Sequence, residues 1–426
     1  MCTASQERIV SPGIPRRGYR RENVPDDDCE DRPMPDQAPS HPLLNWADAA
    51  LPEMLADLEH LIRCESPSSD LTAVARSADL VTAIGQRRLG FAPERLVIDG
   101  VTHLRWRLGA PEPEAPRVLL LAHHDTVWPI GSIETHPFSI QDGVLRGPGC
   151  FDMLTGLVMA IHAAATFADG RGGQLAHAAI TLLVTGDEEV GSHTSRALIE
   201  QEARGCVATL VLEAAGDTPD GAPGALKIGR KGVSNYRVEI TGRAAHAGTE
   251  PDKGLNATVE LAHQVGVVMG FADPAAGTSV VPTVAHSGTT TNTVPARASF
   301  MVDVRAHTVA EQVRVDEAFA TLVSHTGATI TVTGGVNRPP LETSAAEGVW
   351  QRALAVSQDL GLQLADAIVV GGASDGNFTA GVGVPTLDGL GAVGGGAHAD
   401  HEHVYVDEIA PRTALLVALL RDLLGA

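Results

Sequence analysis

A chain of 426 residues exceeds what one hydrophobic core usually organises, and its 44% hydrophobic content suffices for two domains. With 52 acidic side chains against 31 basic ones the formal charge is −21, which argues against nucleic acid and anionic membranes as partners, because phosphate binding rests on clustered Lys and Arg. Five cysteines (Cys2, Cys29, Cys64, Cys150 and Cys206) are odd in number and never form a C-x-x-C pair, which speaks against a disulfide framework or a cysteine zinc site and for a reducing cytoplasm.

Residues 1–42 mix Arg16, Arg17, Arg20 and Arg21 with Asp26, Asp27, Asp28 and recurrent Pro, without an apolar signal-peptide core. They read as a disordered extension or as a start codon set too far upstream. From residue 43 an amphipathic helix is expected (Trp46, Leu51, Met54, Leu55, Leu58, Leu61, Ile62), then a turn and a second helix from about Thr72. Apolar runs at 118–122, 180–184 and 210–212 read as buried strands, with an apolar helix at 154–167 between the first two. No run reaches the roughly 20 apolar residues that a membrane span needs.

Between 230 and 335 the pattern is strand (236–240), helix (255–269), strand (279–283), strand (298–304), helix (309–324) and strand (329–332). This βαββαβ order closes a small α+β domain. Beyond Pro339 and Pro340 an α/β pattern returns, with a helix at 347–360, strands near Ile368 and Val384, and a helix running to 424. The expected architecture is an α/β catalytic domain with a mostly parallel central sheet, built from 43–229 and 336–426, and interrupted by a lid domain at 230–335.

Chemistry-bearing residues gather at the strand ends, where open α/β sheets place their ligand crevice. His123 and Asp125 follow the run at 118–122, and Asp125 has the spacing to hydrogen-bond the ring nitrogen not used for a metal. Taken alone the pair is more often structural. Asp152 ends Gly147-Pro148-Gly149-Cys150-Phe151-Asp152, where an ordinary helix N-cap is the plainer reading. Asp187, Glu188 and Glu189 end the run at 180–184; such crowding is costly unless cations intervene or the loop is exposed. Glu213 and His398 complete two His and three acids from five places, an N/O donor mixture that suits Zn²⁺.

In order and local motif these segments resemble the co-catalytic zinc family that includes glutamate carboxypeptidase, aminoacylase and succinyl-diaminopimelate desuccinylase. The resemblance implies two Zn²⁺ per chain, with Co²⁺ and Mn²⁺ as substitutes: His123 and Glu213 on one metal, Glu189 and His398 on the other, Asp152 bridging both. It implies Glu188 as general base toward a metal-bridged water, Asp125 orienting His123, and a cis bond after Asp152. It also implies that His246, in Gly242-Arg243-Ala244-Ala245-His246-Ala247-Gly248, serves the neighbouring subunit of a homodimer formed through the lid. Asn292 and Arg305 would bind a substrate carboxylate, with Gly372 allowing close backbone approach.

The implied activity is hydrolysis of an amide or peptide bond next to a free-carboxylate amino acid, in a small-molecule or dipeptide-like substrate. One departure stands out. Relatives read Asp-x-Lys-x-Gly where this chain has Asp152-Met153-Leu154-Thr155-Gly156. That leaves two alternatives, a biosynthetic enzyme that forms or rearranges an amide and a non-catalytic binding homologue. Arg305 pairing with Asp303, and Cys150 as a buried structural thiol, are the plain readings of those residues. A Ser-His-Asp hydrolase fits worst, since no Gly-x-Ser-x-Gly elbow is expected between strand ends and helices.

Overall fold

The computed structural model describes residues 41–109 and 115–426, so the reading of 1–42 as disordered falls outside it except at His41 and Pro42, where the first helix already starts. That helix, α1 (Pro42–Arg63), has Pro at its first position and turns Leu43, Ala47, Met54, Leu58, Leu61 and Ile62 inward. The Asp70 carboxylate accepts the Thr72 and Ala73 N–H groups to start α2 (Leu71–Leu89), and Gly90 ends it at φ +84°.

The chain continues through β1 (Glu94–Ile98), β2 (Val101–Leu108), β3 (Arg117–His123), α3 (Thr155–Ala168), β4 (Ala179–Thr185), α4 (Arg196–Ala203) and β5 (Ala208–Val211). Next come β6 (Lys227–Arg230), β7 (Gly232–Thr241), α5 (Ala257–Met269), β8 (Ser279–Ser287), β9 (Arg297–Ala306), α6 (Val309–Ala320) and β10 (Thr329–Arg338). It closes with α7 (Thr343–Asp359), β11 (Ile368–Val370), β12 (Thr386–Leu387) and α8 (Ile409–Leu424).

The central sheet has the order β1-β2-β4-β3-β5-β12. Strands β4, β3, β5 and β12 are parallel, and β1 and β2 extend the sheet as antiparallel strands. The reading from sequence found β3, β4 and β5 but not β1 and β2, whose polar and charged residues break an apolar run. The strand expected near Ile368 pairs with β6 in a separate two-stranded sheet.

Helix α3 is buried on nearly every side, as a helix apolar all round must be. With the turn before it, Cys150–Ala168 makes one 19-residue stretch long and apolar enough to cross a membrane, which corrects the expectation that none exists; 89% of it is buried inside the molecule. Gly156 is what lets α3 approach the sheet, because a Cβ there would lie 1.9 Å from the Leu212 carbonyl oxygen.

Residues 232–338 form a second, four-stranded antiparallel sheet of order β8-β9-β7-β10. Strand β9 alternates half-buried and buried positions along its length. Its inward residues Phe300, Val302 and Val304 join Tyr236, Val238 and Ile240 of β7, Val315 and Phe319 of α6, and Val268 of α5 in an apolar cluster of their own. The βαββαβ order is present, with longer strands than the apolar runs indicated, because β10 carries Gly334, Gly335 and polar residues on to Arg338.

Candidate metal centre

Register brings the candidate ligands level. His123 at the end of β3 lies opposite Thr185 at the end of β4, and Leu121 lies opposite Val211 of β5, two residues before Glu213. Asp152 is held in a turn ahead of α3 with non-helical φ and ψ (−116°, 98°), and its bond to Met153 is cis. It does not cap α3, so the N-cap reading is set aside. The turn after Gly394 and Gly395 carries His398, at φ +62°, to within 3.2 Å of Asp152 and Glu189.

The five residues converge. Asp152 Oδ1 lies 3.4 Å from His123 Nε2 and its Oδ2 lies 3.2 Å from His398 Nε2, so each carboxylate oxygen faces a different histidine. Glu213 Oε1 is 3.5 Å from His123 Nε2, and Glu189 Oε2 is 3.2 Å from His398 Nε2. His123, Asp152 and Glu189, and again His123, Glu188 and Glu213, place donor atoms within 4.8 Å of one another.

The cluster fits a metal. Among the described residues, His123 Nε2 and Glu189 Oε1 are buried without a hydrogen-bond partner, an arrangement that costs free energy unless a cation satisfies both. Burial pushes the Glu189 carboxyl up to about 6 and holds Glu188 well above the ordinary range even with Arg338 beside it. His398 is pushed up to about 10 by Asp152 and Glu189. The exposed-loop reading of the three acids fails, since Asp187 and Glu188 are buried and Asp187 accepts bonds from Thr194 and Ser195.

The two neighbouring histidines differ. His124 is enclosed between Ser77 and the Thr102 carbonyl, and burial lowers it to about 4. His123 Nδ1 meets the Asp125 main-chain carbonyl at 2.9 Å, with the Asp125 carboxylate farther off at 3.4 Å. That carboxylate instead accepts the Ser68 hydroxyl and the N–H groups of Glu188 and Glu189, so Asp125 organises both the histidine and the acidic turn.

The other predicted residues make no hydrogen bond or ion pair with the cluster among the described residues. His246 is exposed, and its Nδ1 accepts the Gly248 and Thr249 N–H groups, which leaves Nε2 pointing away from that turn. Asn292 is exposed. Arg305 places Nε and Nη2 on Asp303, the plain reading of that pair, and its Nη1 has no hydrogen bond among the described residues. Gly372 is exposed, its carbonyl accepts from Arg230, and a Cβ there would meet nothing nearer than 4.0 Å. Cys150 is buried, and burial pushes its thiol well up, away from reactivity.

One expectation from sequence needs correction. Gly372-Ala373-Ser374-Asp375-Gly376 does match the Gly-x-Ser-x-Gly spacing, ahead of a short helix. Ser374 Oγ is nevertheless buried, donates to Asp388 and accepts the Gly376 N–H, with no histidine among its described partners.

Sequence reading missed several residues. Arg338 donates to Glu188 Oε1 at 2.9 Å and to Ser192 at 2.7 Å, and Ser192 in turn bonds Asp375. Arg230 forks onto Asp388 and stands 3.6 Å from Glu213. Burial and Arg230 hold the Lys227 ammonium below its ordinary range, while Asp388, Glu213 and Asp152 oppose that. Lys227 and Arg230 thus supply positive charge beside the acids, where Leu154 offers none; Leu154 packs in the main core. Nothing in local spacing marks these cations, because each enters from a segment remote in sequence.

The model of peptidase family M20/M25/M40 matches residues 119–422. The chain belongs to that family. It is 30% identical over 387 residues to carboxypeptidase G2 of Pseudomonas sp. strain RS-16, covering 87% of this chain and 89% of the relative. It is 28% identical over 354 residues to succinyl-diaminopimelate desuccinylase of Acinetobacter baylyi, covering 79% and 91%. An M20 metallo-carboxypeptidase structure from Sulfolobus solfataricus shares the fold, with a TM-score of 0.69 at 16% identity over 88% of this chain and 100% of that one. The M20 chain described here is a metal-dependent hydrolase of amide bonds.

Proposed function

We propose that this M20 hydrolase binds two zinc ions and cleaves an amide or peptide bond next to an amino acid with a free carboxylate, as the name of its carboxypeptidase G2 relative suggests. The observation that carries this reading is the Asp152 carboxylate, which turns one oxygen to His123 and the other to His398. His123 and Glu213 would hold one metal and Glu189 and His398 the other, with Asp152 as the ligand common to both. Bound there, the metals supply Lewis acidity toward the amide carbonyl and lower the pKa of water.

Glu188 lies within 4.8 Å of His123 and Glu213 but, unlike Asp152, Glu189 and Glu213, makes no ion pair with either histidine among the described residues. Arg338 engages its Oε1, which leaves Oε2 without a hydrogen bond among the described residues, free to take a proton from water and return it to the leaving amine. The lid reading of residues 230–335 is supported by the separate sheet and apolar cluster there. A homodimer through that lid is supported by edge strand β8, with Val281 and Val284 about half exposed, and by exposed Val259 and Met269 on α5. In such a dimer His246 would serve the neighbouring centre, and Asn292 with Arg305 Nη1 would receive the substrate carboxylate. A cytoplasmic setting is supported by the free thiols of Cys64, Cys150 and Cys206.

Metal analysis together with a panel of N-acyl amino acids and dipeptides tests the reading. About two zinc ions per chain, and activity that vanishes in Glu188→Ala with the metals retained, are expected. A metal-free protein would overturn the ligand assignment, and two metals without cleavage of any panel member would favour amide formation or rearrangement.

A further inference from the structure

Glu402 is 4% exposed and lies 250 residues from Asp152 in sequence, yet its carboxylate is the main anchor of the turn that carries Asp152. Oε1 accepts the Phe151 and Asp152 N–H groups at 2.8 and 3.0 Å, and Oε2 accepts the Gly149 N–H at 3.0 Å and the Trp128 indole N–H at 2.6 Å. Four donors come close to saturating an ionised carboxylate. The turn they hold is irregular, with Gly149 at φ +73° and Asp152 outside helical geometry; main-chain bonds from the Cys150 N–H to Gly147, the Leu154 N–H to Gly149 and the Thr155 N–H to Cys150 brace it, and Glu402 takes up the Gly149, Phe151 and Asp152 N–H groups.

Glu402 also stands four residues after His398. That segment is closed by the Ala399 N–H on the Gly396 carbonyl and the Glu402 N–H on the Ala399 carbonyl, each at 2.9 Å. One side chain therefore ties the segment carrying Asp152 to the segment carrying His398.

We propose that Glu402 is a positioning residue for the metal centre, clamping residues 149–152 to residues 396–402 and so setting the spacing between Asp152 and His398. The inference rests on the assignment of those two residues as ligands. Without the clamp, the buried Gly149 and Phe151 N–H groups and the part-buried Asp152 N–H and Trp128 indole N–H lose their acceptor, and the turn rearranges to satisfy them. The Asp152 oxygen facing His398 is then misplaced, while the β3 and β5 ends carrying His123 and Glu213 stay fixed by the sheet.

The test uses the full chain stripped with EDTA and titrated with zinc against a chromophoric chelator, alongside kcat, KM and the melting of the metal-free proteins. Glu402→Gln keeps the shape but turns an amide N–H₂ toward donors. It is expected to weaken one of the two zinc sites about 10- to 100-fold and to lower kcat with KM unchanged, and excess zinc should restore part of kcat. Trp128→Phe removes one corner of the clamp and is expected to weaken the same site about two- to fivefold.

Two wild-type zinc affinities and an unchanged kcat in Glu402→Gln would overturn the proposal. Should that variant fail to fold, wild-type zinc affinity in Trp128→Phe would overturn it instead. A wild-type protein that binds no zinc would sink the ligand assignment, whereas wild-type binding of two zinc ions matched by Glu402→Gln would sink the clamp alone.

Discussion

Arg338 Nη2 lies 2.9 Å from Glu188 Oε1, so the last residue of β10 ends on the carboxylate proposed to move the proton. Both side chains are about 10% exposed, which makes this a buried pair reaching from the small sheet into the metal centre. Removing one partner of a buried pair typically costs about 3–5 kcal/mol because the other charge is left uncompensated. Arg338→Met should therefore lower the melting temperature and reduce kcat more than it raises KM, and steady-state kinetics with thermal melts would check both. An Arg338→Met enzyme with the wild-type kcat would show that Glu188 needs no fixed cation.

Metal removal should act on stability as well as activity. Ligands that bind only the folded state stabilise it in proportion to the logarithm of their concentration over Kd. Chelation is expected to abolish hydrolysis and lower the melting temperature, and added zinc should restore both. The stabilisation by zinc should shrink in His123→Ala and His398→Ala, each of which removes a neighbour of Asp152.

The packing of α3 offers a test away from the ligands. A Cβ on Gly156 would overlap the Leu212 carbonyl, the residue before Glu213. Gly156→Ala must push the helix off the sheet, and overpacking of this kind costs about 1–3 kcal/mol. A lower melting temperature together with weaker zinc binding is expected. Normal zinc affinity in a destabilised Gly156→Ala protein would show that Glu213 does not follow the shift.

Glu260 gives a pH signature to the small sheet. It is inaccessible to solvent, and burial alone would raise it, but hydrogen bonds from Thr326, the His325 N–H and Gln264 outweigh that and hold it down at about 2. A folded-state pKa below the unfolded value means stability that is present above about pH 4.5 and lost as pH falls toward 2. Glu260→Gln should cost about 1–3 kcal/mol at neutral pH, and its deficit relative to wild type should close in acid. Denaturant melts at pH 7 and pH 3 would check it; an equal deficit at both would rule out the charged form as the stabilising one.

The candidate ligands were legible in sequence as local signals, His123, Glu189 and Glu213 shortly after apolar runs, Asp152 at the end of a Gly-rich loop and His398 after Gly394-Gly395-Gly396-Ala397, and the family resemblance joined them into one set. His123, Asp152, Glu189, Glu213 and His398 needed no tertiary information to be suspected, and the strands at 117–123 and 179–185 were plain in hydrophobicity alone. Strands β1 and β2 were missed because Arg95, Arg105 and Arg107 interrupt their apolar runs; β1 is the exposed edge, whereas β2 is largely buried and its Arg105 pairs with Glu94 across the two strands and with Glu202. The Gly372-to-Gly376 motif was passed over, and only the partners of Ser374 show that it builds a turn and no nucleophile.

The residues that support the centre follow a different rule. Arg338 on Glu188, Arg230 on Asp388 and Glu402 on the 149–152 turn join segments 150, 158 and about 250 residues apart, and no periodicity or spacing records such contacts. Sequence by itself offered the candidate donors, grouped into one set through the family resemblance, and the order of most elements, since hydrophobic pattern and ligand chemistry are properties of short segments. Only the tertiary structure decided which oxygen of Asp152 meets which histidine and what holds it there, because a buried carboxylate is positioned by donors from wherever the chain happens to return.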